Sequence, residues 1–188
     1  MKNVLKHYGL FALLTFSFSV SFGQTQNSRA ADSVICDFEA RVKAYAGERE
    51  EIERSIRPIP KQASPRQIAE HKAAFLKAVQ KSRSGLKQGA IFTPAIAAYF
   101  KRVIAIELDA TQKAELRKEV IEAENKAVAI RVDYPYPESQ EILEMPATLL
   151  LVLPQLPKQL KYRFVGRHML LVDRENALIV DYVTNAVP

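Results

Sequence analysis

His71 and His168 are the residues of this chain best suited to acid–base work or metal ligation, because imidazole changes charge near neutral pH. The third histidine, His7, lies in an N-terminal leader. The two fall on different expected elements, one on a helix and one in a hairpin, so they do not form a pair by sequence. A metal site needs three or four converging ligands. The one cysteine, Cys36, reads as an apolar-face helix residue, a buried and inert thiol. No G-x-S-x-G elbow, glycine-rich phosphate loop or H-E-x-x-H pair occurs. Glu119, Glu122 and Glu124, at spacings of three and two, do not share one helix face and read as a solvated surface. No metal and no cofactor is implied. The expectation is a non-enzyme, and the alternative is a small secreted hydrolase-like or metal-dependent enzyme whose site is not recognisable from sequence.

Two groups suit binding instead. Between residues 61 and 102, Lys61, Arg66, Lys72, Lys77, Lys81, Arg83, Lys87, Lys101 and Arg102 face only Glu70. Arg66, Lys77 and Lys81 share one side of an expected helix, a candidate patch for an anionic lipid headgroup or envelope polymer. The bland reading is a solvated face neutralised by the acidic segment 107–124. The second group is Arg163, Arg167, His168 and Asp181, a candidate polar recognition site on the terminal sheet. Its bland reading is an ordinary cross-strand ion pair between Arg163 and Asp181.

The elements that position these residues lie beyond the leader. "MKNVLKHYG" carries Lys2 and Lys6, and then comes the apolar run 10–22, too short for the about 20 residues that span a bilayer. Basic start, short apolar core and small residues at Ser21 and Gly23 make residues 1–23 a secretory signal peptide, cut before Gln24. Loss of Lys2 and Lys6 takes the formal charge from +6 to +4, a mild excess that implies no nucleic-acid partner. No second apolar run is long enough for a membrane span, so the processed protein is expected in the periplasm or medium. Its oligomeric state has no sequence signature. One cysteine cannot form an internal disulfide, so the core alone must hold the fold.

Residues 24–31 read as a flexible lead-in and 32–188 as one α+β domain, helical over 32–126 and mainly β over 127–188. A first helix is expected from Asp32 to Ile56, with Val34, Ile35, Phe38, Val42, Tyr45 and Ile52 at three- and four-residue spacings. Ser64-Pro65 with Gln67 forms a capping box that opens a second helix, fading by Gly85 and burying Ile68, Phe75, Leu76 and Val79. Thr93-Pro94 opens a third around Ile96, Phe100, Val103 and Ile104. Asp109 and Gln112 cap a fourth, carrying Leu116, Val120 and Ile121.

Near Asn125 the period changes to two. In "VAIRVDY" Val128, Ile130, Val132 and Tyr134 alternate with Ala129, Arg131 and Asp133, which predicts a strand. "YPYPES" must leave it extended. "MPATLLLVLPQLP" suits a short buried helix starting at Pro146, with a buried strand as the alternative. Gly166-Arg167 fits a type II′ hairpin loop that pairs Val165 with His168 and Phe164 with Met169. A second turn pairs Asp173 with Leu178. One face then carries Tyr162, Phe164, Met169, Leu171, Leu178, Val180 and Tyr182. The other carries Lys161, Arg163, His168 and Asp181 among Leu170, Val172 and Ile179, a mixed face for solvent or a partner.

The stretch "LPQLPKQLKYRFVGRHMLLVDRENALIVDYV", with "IFTPAIAAYFKR" upstream, resembles a family of small secreted bacterial proteins of unknown function. That resemblance implies a secreted protein and no particular activity. The hairpin "YRFVGRHMLLVDRENALIVDYV" is also similar to the closing strands of a periplasmic nickel/cobalt-homeostasis family, without histidine-rich support. The expected function is therefore an exported, non-enzymatic envelope protein that binds another protein or an anionic envelope polymer.

Overall fold

The computed structural model describes residues 22–108, 114, 115, 118, 129–136 and 143–187. Three long helices come first: α1 (Phe22–Ser55), α2 (Pro65–Ser82) and α3 (Pro94–Glu107). A sheet of β1 (Leu143–Glu144), β2 (Leu160–Val165), β3 (His168–Asp173) and β4 (Ile179–Val183) follows, with the short helix α4 (Ala147–Val152) between β1 and β2. The strands are antiparallel neighbours in chain order, so the fold is α+β, helices then meander. Residues 1–21 of the expected leader, the Asp109–Gln112 cap and Glu119, Glu122 and Glu124 lie outside the described residues, while Phe22 and Gly23 belong to α1.

Helix α1 starts at Phe22 instead of Asp32, so residues 24–31 are helical and not a flexible lead-in. Glutamine, arginine and alanine favour helix there, and no proline interrupts them. Its buried stripe is Phe38, Val42, Tyr45, Arg49 and Ile52, at spacings of four and three. Cys36 precedes Phe38 by two positions, about 200° around the helix, and is exposed rather than buried.

The capping box of α2 forms as expected: Gln67 N–H donates to Ser64 Oγ at 3.3 Å, and Ser64 N–H to Gln67 Oε1 at 2.8 Å. Phe75 and Val79 are buried, Leu76 is partly so, but Ile68 is 39% exposed on the first turn. Thr93 caps α3, accepting from Ile96 N–H at 3.4 Å, and Ile96, Phe100 and Ile104 are fully buried. Phe38 of α1 meets Phe100 edge-on at 4.9 Å and Phe92 of the preceding loop at 5.6 Å. Phe164, Met169 and Leu171 of the sheet join the same core. Helices and sheet therefore bury one another's apolar faces.

The hairpin has the expected register, Val165 opposite His168 and Phe164 opposite Met169, with Gly166 at φ 49° in the turn. Asp173 N–H donates to the Leu178 carbonyl at 2.8 Å, so the second turn also closes as expected. The β3–β4 ladder then departs from expectation. Met169, Leu170 and Leu171 face Val183, Tyr182 and Asp181, and the register shifts before Val172 meets Ile179. Val180 is the extra residue of this bulge. Every β4 side chain beyond it changes faces. Asp181 moves to the helix side, and Tyr182 moves to the opposite face beside Leu170 and Val172. That opposite face is also drier than expected, because Tyr136 packs over Leu170, Val172 and Ile179.

Of the strand expected over 128–134, the described residues 129–134 form none. Residues 129–131 are coil, Val132 and Asp133 form a turn with Asp133 at φ 60°, and among these described residues only Pro135 makes a bridge, to Leu178. The alternation holds through Ala129–Val132, with Ile130 and Val132 the more buried, and fails at its end, where Asp133 is buried and Tyr134 is 40% exposed. The short helix after Pro146 forms as expected, yet only its Leu149 is buried. Leu150, Leu151 and Val152 are exposed by 52%, 86% and 39%.

Candidate functional site

Asp181 anchors a loop. Its Oδ1 accepts from the N–H groups of Gly89 at 2.9 Å and Tyr182 at 2.8 Å, and its Oδ2 from Ile91 at 2.7 Å and Phe92 at 2.8 Å. Four donors satisfy a fully buried carboxylate and tie the 89–92 loop to β4. Asp181 therefore does not meet Arg163, whose Nη2 reaches Glu144 Oε1 at 3.1 Å instead. His168 stands edge-on to Tyr182, ring centroids 6.3 Å apart. Arg167 is exposed on the turn, and its carbonyl accepts from Ala186 N–H at 2.7 Å and Val187 N–H at 3.3 Å, pinning the last residues. The four expected recognition residues thus do not converge. On α2, Arg66 pairs with Glu70 at 2.8 Å in solvent, while Lys77 and Lys81 are exposed. Arg83 leaves that basic patch for the interior.

Two buried arginines escape a reading of the sequence. Arg49 Nε donates to Asp173 Oδ2 at 2.5 Å, Nη2 pairs with Glu175, and the guanidinium lies 5.3 Å from the Phe75 ring centre. Burial pulls the Arg49 pKa down, but the hydrogen bond and charge of Asp173, with Glu175, outweigh it and raise it. Arg83 Nε donates to Asp133 Oδ1 at 2.8 Å and Nη2 to the Val180 carbonyl at 3.3 Å, with the guanidinium 5.0 Å from the Tyr45 ring centre. Burial raises the Asp133 pKa against the opposing pull of Arg83. Tyr45, between the two bridges, has its phenol pushed well above the ordinary tyrosine range, by burial first and by Asp173 second. These are struts between α1, α2 and the sheet. The available signal is position: Arg49 continues the stripe of Phe38, Val42 and Tyr45.

Three further cations line an open groove along β2. Its cavity of about 270 Å³ is lined by Lys161, Arg163 and Arg174, with Gln155, Leu150 and Leu156 among the other walls. β1 pairs with β2 only at Phe164 and Arg163, so the stretch Leu160–Tyr162 is an edge on that side. The arginines dress this edge: Arg163 Nη1 donates to the Tyr162 carbonyl and Arg174 Nε to the Leu160 carbonyl, each at 3.0 Å. Tyr162 Oη donates to the Pro154 carbonyl at 3.0 Å, which ties the strand to the end of α4. Lys161 is half-buried between the arginines. Burial first, then the charges of Arg163 and Arg174, lower its pKa, and Glu144 opposes them only in part. Chemically, this is a positive, partly desolvated groove with an apolar wall.

A larger cleft of about 500 Å³ lies between the ends of α1 and α2 and includes Glu53, Ile59, His71 and Glu175. Its histidine and both carboxylates are already engaged: His71 Nδ1 meets the Arg57 carbonyl and Nε2 meets Glu53, both at 2.9 Å, while Glu175 holds Arg49. Among the described residues, no group of three His, Cys, Asp or Glu is placed to hold a metal, and no helix is long and apolar enough to cross a membrane. No family model, curated protein or solved structure matches this chain.

Proposed function

We propose that this chain is an exported, non-enzymatic envelope protein that binds another protein or an anionic envelope polymer through the groove beside β2. One observation carries this reading: Lys161, Arg163 and Arg174 line a single groove, against the exposed carboxylate of Glu144. Like charges held close together on a half-dry surface repel, and an anion bound among them relieves that repulsion. The basic, then apolar, then small-residue N-terminus supports export. Calorimetric titration with polygalacturonate and with polyglutamate tests the reading, on the wild type and on the combined Lys161→Gln, Arg163→Gln, Arg174→Gln variant. The wild type should bind at least one polyanion, more weakly as salt rises, and the variant should lose that binding. Equal binding by the two proteins would move the site elsewhere. Tightly held stoichiometric metal, or turnover in a hydrolase panel, would favour an enzyme instead.

A further inference from the structure

The groove does not end in polar surface. Its wall includes Leu150 beside the three cations, and the next two residues of α4, Leu151 and Val152, are also exposed, so the short helix carries three consecutive exposed apolar side chains at the groove's margin. Ile106, 69% exposed, stands on the last turn of α3, the helix against which α4 packs. Soluble domains seldom leave such a cluster uncovered without a use for it. A polysaccharide offers negative charge but no apolar layer to receive Leu151. An anionic bilayer offers both, phosphates at the surface and acyl chains directly beneath.

Resting on the anionic partner of the proposed function, we infer that this face lies against an anionic lipid bilayer. Leu150, Leu151 and Val152 enter the acyl boundary, and Lys161, Arg163 and Arg174 meet the headgroup phosphates. The backbone supports that posture. Leu149 is fully buried under α4 and fixes the helix to the core, so its neighbours are presented outward on a rigid base. The carbonyl bonds of Arg163 and Arg174 hold both guanidinium groups along the same strand edge. The contact is peripheral, because α4 has only six residues and lies at the surface.

Vesicle flotation tests this with the protein purified as the cell processes it, so that wild type and variants share one N-terminus. Three preparations serve as probes: phosphatidylcholine vesicles, the same vesicles containing phosphatidylglycerol, and soluble polygalacturonate. The wild type should float with the phosphatidylglycerol vesicles, stay behind with phosphatidylcholine alone, and detach as salt rises. Each surface cation contributes roughly five-fold near an anionic leaflet, so Lys161→Glu should weaken vesicle binding by about ten-fold or more. Leu151→Glu should do the same, and at an 86% exposed position it leaves the fold intact, which circular dichroism checks. Vesicle binding unchanged in both variants would overturn the assignment of this face. Binding to polygalacturonate without flotation would overturn the lipid inference and leave the proposed function standing. Binding to neither would overturn the lipid inference and the polysaccharide arm of the proposed function.

Discussion

Asp181→Asn changes one atom and should unfasten a loop. Each carboxylate oxygen accepts two backbone N–H groups, Gly89 with Tyr182 on Oδ1 and Ile91 with Phe92 on Oδ2. An asparagine has one acceptor oxygen, so in either amide orientation its NH2 group faces two donors. Two N–H groups then lose their acceptor at a fully buried site. At about 1–3 kcal/mol for each stranded group, the loss is roughly 2–6 kcal/mol, a large part of the about 5–15 kcal/mol of an ordinary domain. The damage should spread through Phe92, whose ring packs 5.3 Å from Phe100. Urea unfolding gives the magnitude from the midpoint at constant slope. Hydrogen exchange gives the location, with the amides of Gly89, Ile91 and Phe92 losing protection first. A change under about 0.5 kcal/mol, well below the cost of even one stranded group, or intact protection at those amides, would refute the anchoring role and the β4 bulge that places it.

Phe164→Ala empties a fully buried site on β2 and should cost about 3–5 kcal/mol. Arg163→Ala loses a pairing with the exposed Glu144 and should cost at most about 1 kcal/mol; a reversed order in urea melts would contradict the hairpin register. Asp173→Asn leaves the buried Arg49 guanidinium with the exposed Glu175 as its remaining charged partner and should cost about 3–5 kcal/mol, while a neutral result would contradict the Arg49–Asp173 strut as a stabilising contact. Intact-mass spectrometry of the exported protein should find a chain beginning at or near Gln24, and retained Met1 on a cytoplasmic product would remove the argument for export.

Local rules are readable in the sequence where a few adjacent residues settle them. Ser64-Pro65 with Gln67, Thr93-Pro94 and the Gly166-Arg167 turn each specify their own geometry, and all three form as expected. The β4 register is not readable, because a bulge at Val180 leaves no mark in a period-two pattern and yet exchanges the faces of Asp181 and Tyr182. "VAIRVDY" alternates like a strand, but Asp133 is drawn inward by Arg83, which lies 50 positions away. Arg49 looks like one of the charges between apolar residues, because its partner Asp173 lies 124 positions on. Of the groove, Arg163 is a binding candidate by sequence alone. Lys161 and Arg174 join it only when β2 and the turn after β3 are folded together, and the apolar wall needs α4 to turn Leu149 inward and Leu150 outward.

The groove's central residue is also its best reporter. In the free protein Lys161 titrates below an ordinary lysine, because it is partly desolvated beside Arg163 and Arg174. A bound anion stabilises its charged form, so binding must raise that pKa and take up a proton. Affinity should then weaken as pH rises through the free-protein pKa of Lys161. NMR titration of the Lys161 Cε and Nζ signals, alone and saturated with polygalacturonate or phosphatidylglycerol vesicles, measures this directly. The lowered free-protein value should move up toward the ordinary lysine range on binding. A Lys161 titration that is the same with the anion bound as without it would contradict the groove as the binding site.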